Sequence, residues 1–325
     1  MFATYALGID VGGSRIAAGL IDTKGRVIRD VTLPTPTDKG PFGIVDAIVH
    51  AGREVTTSVT KNEIAGIGIG LPAQIDFARQ EIEFCTNLPI AGVDVSSLIE
   101  TAFRVPATID NDGHLAALGE CRYGAGKKVS DFLMLTLGTG VGGGMCIDGE
   151  LYRGARGLAG EVGHMVLDIN GPACPCGGKG HIESYLGAPA LKALAQEAAR
   201  KPSGKAIYDA AGGVLSKVDA FSLVLAAAGG DRVALEIMRE RGKLLGQALV
   251  GLVNIFNPRV ICIGGGIGES AGSLVEAAAG VVHEQAMAGR KDVEIIQATL
   301  GNDAGILGAA ALAFEEYEAR EGFCL

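Results

Sequence analysis

Twice along the chain an apolar strand runs into a knot of glycines and returns as a second strand. Residues 5–22 read YALGID-VGGS-RIAAGLID, and residues 131–151 read DFLMLTL-GTGVGGG-MCIDGEL, each closing on an Ile-Asp pair. A strand, a glycine turn and a strand form a hairpin whose turn exposes bare backbone N–H groups. Two copies suggest two lobes of common plan, an old duplication.

The segments around the hairpins alternate between helix and strand. Pro41 opens a helix with Ile44, Val45, Ile48, Val55 and Val59 on one side. Ile64–Leu71 is a short buried strand. A short helix is expected over 96–103, a strand over 107–110 and a helix over 113–120. Residues 154–180 lack periodicity and are dense in Gly, Cys and His, which makes them a loop region. Helices are expected from about 188, over 234–255 and over 271–287, with a strand at 260–263 ending in Gly264-Gly265-Gly266 and a last helix over 304–319. Alternating strands and helices define an α/β class. The expected division is a first lobe of 1–117 with the C-terminal helix 304–325, and a second lobe of 118–303 with the active site between them.

Composition narrows the function. A length of 325 residues, 48% of them hydrophobic, is enough for two α/β domains with cores of their own. A net charge of −9 argues against a broad footprint for nucleic acid or an anionic membrane. The N-terminal residues read as a strand with no basic leader, and no apolar run reaches the ~18 residues of a membrane span. Seven cysteines, two of them in Cys174-Pro-Cys176, suit a reducing compartment and a metal site better than a disulfide framework. The expected address is the cytoplasm.

The glycine loops select among phosphate binders. No Walker A loop is present, because Gly124-Ala125-Gly126-Lys127-Lys128 lacks the first glycine and the Ser/Thr. A GxGxxG string at Gly138, Gly140 and Gly143 is followed by a strand where a dinucleotide fold requires a helix. This loop is either a hairpin offering N–H groups to phosphate or a plain tight hairpin. Asp10 with Gly12 and Gly13 is similar: its carboxylate either supports Mg²⁺ through water or caps a turn.

Asn111-Asp112 follows a strand and precedes a helix, so Asp112 is either a helix cap or a base that accepts a hydroxyl proton. His164, Cys174, Cys176 and His181 offer four N/S ligands within 18 residues, as a structural tetrahedral Zn²⁺ site requires. Glu161 and Glu183 flank those ligands and could accept hydrogen bonds from a polyol. The glycine hairpins are remote from the cluster in sequence, so loss of metal is expected to weaken the polyol-binding side and spare the phosphate-facing hairpins. His50, His114 and His283 read as helix residues without chemistry.

Five patches together resemble the ROK family (repressors, open reading frames, kinases), and within it the bacterial-type glucokinases. They are Gly8-Ile9-Asp10-Val11-Gly12-Gly13, Gly68-Ile69-Gly70-Leu71-Pro72, Ile109-Asp110-Asn111-Asp112, Gly160-Glu161-Val162-Gly163-His164, and the run from Cys174 to Glu183. The resemblance implies a two-lobe actin-like (ribonuclease H-like) sugar kinase fold with a zinc-binding loop, usually as a homodimer. It implies Asp112 as the base on the sugar hydroxyl, with Asn111, Glu161, His164 and Glu183 holding the sugar. Asp10, Gly12, Gly13, Ser14, Arg15, Thr139, Gly140 and the turn Gly264, Gly265, Gly266 would meet Mg-ATP.

Three departures from the family pattern matter. Ser14-Arg15 replace Thr-Lys, Ala73 replaces a glycine near the sugar, and His181 replaces a fourth cysteine. The implied activity is ATP-dependent phosphorylation of a hexose, glucose before N-acetylmannosamine, fructose, mannose, allose or a cyclitol, with polyphosphate as an open alternative donor. The rival from another class is a sugar-sensing regulator. A repressor of the family would need a DNA-binding segment, for which the expected N-terminal strand leaves no room.

Overall fold

The computed structural model describes residues 3–85, 87–268, 270–287 and 292–322. In chain order the strands and helices begin β1 (Tyr5–Val11), β2 (Arg15–Asp22), β3 (Val27–Pro34), α1 (Gly40–Val55), β4 (Ile64–Leu71), β5 (Ala73–Asp76), β6 (Glu81–Cys85), α2 (Val95–Phe103), β7 (Ala107–Asn111) and α3 (Asp112–Tyr123). They continue with β8 (Phe132–Leu137), β9 (Val141–Ile147), β10 (Glu150–Leu151), α4 (Glu183–Leu186), α5 (Ala188–Ala199), α6 (Lys205–Ala210), α7 (Ala220–Ala228) and α8 (Arg232–Phe256). The last are β11 (Val260–Gly264), α9 (Gly265–Gly268), α10 (Gly272–Gln285), β12 (Glu294–Gln297) and α11 (Ala304–Glu321).

Two five-stranded sheets share one plan. The first has the order β3-β2-β1-β4-β7 and the second β10-β9-β8-β11-β12. In each, a hairpin lies beside strands that enter in parallel: β1 pairs with β4 and β4 with β7, as β8 pairs with β11 and β11 with β12. The repeated hairpin thus seeds a repeated sheet. Parallel strands need crossover helices, which explains the alternation in the sequence.

The chain divides into two compact units, residues 1–128, 144–160 and 302–325, and residues 129–143 and 161–301. Residues 118–128 and 144–160 therefore group with the first unit, where the sequence reading set them in the second lobe. In the first unit, β4 is buried along its whole length and α1 turns Ile44, Val45, Ile48, Ala51 and Val55 into the core. Val59 falls beyond the end of α1, though it still packs against that core. α11 lies so close to the sheet that a Cβ on Gly68 would sit 1.8 Å from the Ala309 carbonyl oxygen, so only glycine fits there. In the second unit, α8 buries Ala234, Met238, Leu245, Leu249 and Leu252 at helical spacing and packs on α10.

The sequence reading gave no element to β5, β6, α4, α6, α7 or β12. β5 and β6 have only four and five residues, and α7 (AFSLVLAAA) is an unbroken apolar run without period. The expected turn at Gly264–Gly266 is instead the end of β11 leading into the one-turn helix α9. Among the described residues no helix is long and apolar enough to cross a membrane.

Candidate active site and metal cluster

Parallel pairing aligns three strand ends in the first unit. Asp10 of β1 is opposite Gly70 of β4, and Gly70 is opposite Asp110 of β7. A Cβ on Gly70 would lie 3.5 Å from Asp10 Oδ1 and 3.7 Å from the Asp112 Cα. Leu115 Cδ1 would be nearer still, at 3.3 Å, so Gly70 lies where Asp10 and the first turn of α3 converge. Ligands of parallel α/β sheets gather outside the carboxyl ends of strands, as here.

The cap of α3 is Asn111, not Asp112. Asn111 Oδ1 accepts from the backbone N–H groups of Gly113 at 2.9 Å and His114 at 3.2 Å, while its amide donates to the Ala73 carbonyl at 3.1 Å. Asp112 is the first residue of the helix and is partly exposed, and its Oδ1 also accepts from the Gly113 N–H at 2.8 Å. Burial pushes the Asp10 carboxyl up, against the opposing pull of Arg15. The β1–β2 turn is closed by Gly12 N–H to the Arg15 carbonyl at 2.8 Å, leaving Gly13, Ser14 and Arg15 exposed. Arg15 reaches Asn302 at 3.0 Å.

Behind that edge lies a buried network that the sequence reading missed. Asp110 is 1% exposed and His114 2%. Asp110 Oδ1 is 3.0 Å from His114 Nδ1 and 2.8 Å from the Asn111 N–H, and Oδ2 accepts from Arg153 Nε at 2.8 Å. Burial alone would raise the Asp110 carboxyl, but the His114 hydrogen bond and the Arg153 charge overcome it and hold the group low. Burial likewise opposes charge on His114, yet the bond to Asp110 wins and raises its value. At the edge strand β7, Gln80 completes the pairing: its side chain accepts from Ile109 N–H at 2.6 Å and donates to the Ile109 carbonyl at 3.2 Å. An Asp and a His at i and i+4 across a strand–helix junction were the available signal for Asp110 and His114. For Gln80 there was none.

In the second unit the four sequence-predicted ligand residues converge. One ligand atom from each of His164, Cys174, Cys176 and His181 lies within 4.8 Å of all the others. Cys174 Sγ is 3.8 Å from His164 Nδ1, and Cys176 Sγ is 3.2 Å from His181 Nδ1. Ligands about 2.0–2.3 Å from a tetrahedral ion are separated by roughly 3.3–3.8 Å, so the donor set fits a metal with little adjustment. The loop is pinned by bridges between Val166 and His181 and between Ala173 and Lys179. Glu161 is exposed, and its carboxylate lies 3.9 Å from His164 Nε2, on the side of the ring away from Cys174.

Glu183 joins this cluster to the second glycine hairpin. Its Oε2 accepts from the Val141 N–H at 3.0 Å, while Oε1 is 3.9 Å from Cys174 Sγ. A Cβ on Gly140 would come 2.3 Å from that same Oε2, so the hairpin admits the carboxylate only because residue 140 is glycine. Thr139 is exposed at the hairpin tip, and Gly266 is exposed beyond the end of β11. The hairpin is thus remote from the metal loop in sequence, by 42 positions at this bond, yet is tied to it directly.

The ROK family model matches residues 6–316. The chain belongs to the ROK family. Among its ROK relatives, the glucokinase of Streptomyces coelicolor is 34% identical over 314 residues, 95% of this chain and 97% of that protein. The crystal structure of a ROK family glucokinase from Streptomyces griseus in complex with glucose and AMPPNP superposes with a TM-score of 0.85 at 30% identity, covering 96% and 99% of the two chains. The xylose repressor of Bacillus spizizenii is 30% identical, covering 97% of this chain and 78% of the repressor. The fold of this ROK chain is accordingly the actin-like sugar kinase fold.

Proposed function

We propose that this chain phosphorylates a hexose, glucose before others, on its 6-hydroxyl at the expense of ATP. It is an ATP-dependent sugar kinase. The observation that carries the reading is the strand-end edge where the Asp10 carboxylate and the backbone of Asp112 both approach Gly70, with the α3 cap assigned to Asn111. Asp112 takes the proton of the attacking hydroxyl as its oxygen bonds to the γ-phosphorus and ADP leaves. Asp10 and the turn Gly12, Gly13, Ser14, Arg15 serve the Mg-ATP phosphates, together with Thr139, Gly140 and Gly264, Gly265, Gly266. Magnesium would neutralise charge on those phosphates, and Asp10 is the carboxylate suited to support it. Asn111, Glu161, His164 and Glu183 are the proposed sugar ligands.

His164, Cys174, Cys176 and His181 would hold structural zinc, whose role is to fold a loop with little core of its own. Asn111 and Glu183 also carry structural hydrogen bonds, so their proposed contacts with sugar must use the remaining lone pairs and amide hydrogen. The relatives named glucokinase support glucose; the departure at Ala73 bears on the choice among sugars.

An ADP-release assay with glucose, mannose, fructose, N-acetylmannosamine, allose and a cyclitol tests the reading, with polyphosphate as a second donor. Glucose with ATP should give the highest kcat/KM. Higher turnover of another sugar would reassign the substrate. The likeness to a xylose repressor favours a second reading, a sugar sensor, which tight sugar binding without turnover of any sugar would establish.

A further inference from the structure

We propose that His114 is held as a buried imidazolium and is a positioning residue for sugar binding, fastening the loop 154–160 to the turn that carries Asp112. The proposal rests on the reading of the chain as a sugar kinase with Asp112 as its base. His114 Nδ1 faces a carboxylate oxygen of Asp110 at 3.0 Å, and Nε2 faces the carbonyl oxygen of Ala159 at 2.6 Å. Both partners are acceptors. A neutral imidazole has one N–H, so it would press a nitrogen lone pair against one of these oxygens; only the doubly protonated ring satisfies both. Asp110 cannot supply the missing proton readily, because the Asn111 N–H and Arg153 Nε already donate to its two oxygens.

The charged groups around the ring are few. Asp110 faces it from β7 and Arg153 from the segment after β10, while Asp112 is two positions earlier on the same turn. β9 brings the bare backbone of Gly144 against the His114 Cα. Arg153 lies over the Phe77 ring at 3.8 Å, and its Nη2 is buried without a hydrogen-bond partner. The negative charge of Asp110 is thus shared by two cations.

Ala159 is the far end of this tie. Its N–H closes the loop on the Arg153 carbonyl at 3.0 Å, and a Cβ on Gly157 would meet the Ile75 carbonyl oxygen at 2.5 Å. The chain then runs directly into Gly160-Glu161, where the proposed function puts a sugar ligand. Loss of the Nε2 proton sets two lone pairs face to face and releases the Ala159 carbonyl, loosening the sugar loop. The glycine hairpin at residue 12 is closed instead by Arg15 and Thr35. The sugar KM should therefore rise with pH as the ring deprotonates, while the ATP KM and kcat change less.

Two measurements on the full chain test this. Nitrogen-resolved NMR of the ring, assigned by its loss in His114→Gln, should show hydrogens on both nitrogens at neutral pH and titration above the ordinary value of about 6.5. This readout needs neither sugar nor ATP, so failure of the sugar reading and failure of the imidazolium are separate results. In steady-state assays the glucose KM should climb roughly tenfold across that titration, the scale of one buried acceptor left unpaired. In His114→Gln it should start high and stay flat with pH. A ring with one hydrogen at neutral pH overturns the proposal, and so does a glucose KM that stays level while the wild-type ring titrates. If the variant does not fold, the wild-type NMR and KM profiles still decide.

Discussion

At the end of β7, adjacent side chains divide two duties that the sequence left open for one of them. Asn111 caps α3 with two accepted N–H bonds, and Asp112 shares one of those donors, Gly113, while serving as the proposed base. Asn111→Ala should lower stability by about 1 kcal/mol, the usual cost of a lost cap, and Asn111→Asp should restore most of it. Urea midpoints with an unchanged slope would check this; no change in Asn111→Ala would return the cap to another group. The motif identified Asp112, but the cap depends on which side chain faces the helix N–H groups, which is a matter of backbone direction.

Asp110 and His114 give stability a defined pH window. The lowered Asp110 contributes above its ordinary value of 3.8 and fails as pH falls through its folded value, which lies lower still. The raised His114 contributes fully below its ordinary 6.5 and fails as pH rises through its higher folded value. The melting-temperature difference between the wild type and His114→Gln should therefore plateau between about 4 and 6.5 and shrink at higher pH. A difference that grows with pH above 6.5 contradicts the linkage. His114 read as an ordinary helix residue because its partners Asp110 and Ala159 meet it only once the strand, the helix and a loop 45 residues away are assembled.

Among the elements, the loop of the cysteine–histidine cluster and the β8–β9 hairpin form one mechanical piece. That His164, Cys174, Cys176 and His181 cluster was legible from their spacing alone, since donor chemistry needs little context. Their link to the hairpin was not, because Glu183 reaches Val141 across 42 positions of sequence. Elemental analysis of untagged protein should find about one zinc per chain. In Cys176→Ser, which removes an exposed ligand, both sugar and ATP affinity should fall, on the order of the 10–100-fold typical when support of a metal site is lost. Calorimetry separates the cases: ATP affinity kept while sugar affinity falls would mean that the Glu183 bond transmits nothing. Short β5 and β6 and the aperiodic α7 stayed hidden for a simpler reason, since too few residues repeat for any period to emerge.

Across the whole molecule, two sheets of the same order carry the glycine hairpins, and this plan was readable from the repeated strand–turn–strand segments. The high glycine count has two physical sources. One set makes turns; another, such as Gly68 under α11, lets a helix approach a sheet more closely than any side chain allows. Only the first was evident from the sequence, because close approach is a property of packed elements. The central claim is hexose phosphorylation by ATP with Asp112 as base, and phosphorus NMR of the reaction mixture tests it most directly. With glucose and Mg-ATP the wild type should accumulate glucose 6-phosphate and ADP together, while Asp112→Asn, folded and still binding glucose, should be slower by ~10²–10⁴-fold. Near-native product formation by Asp112→Asn, or ADP without a sugar phosphate from the wild type, would contradict it.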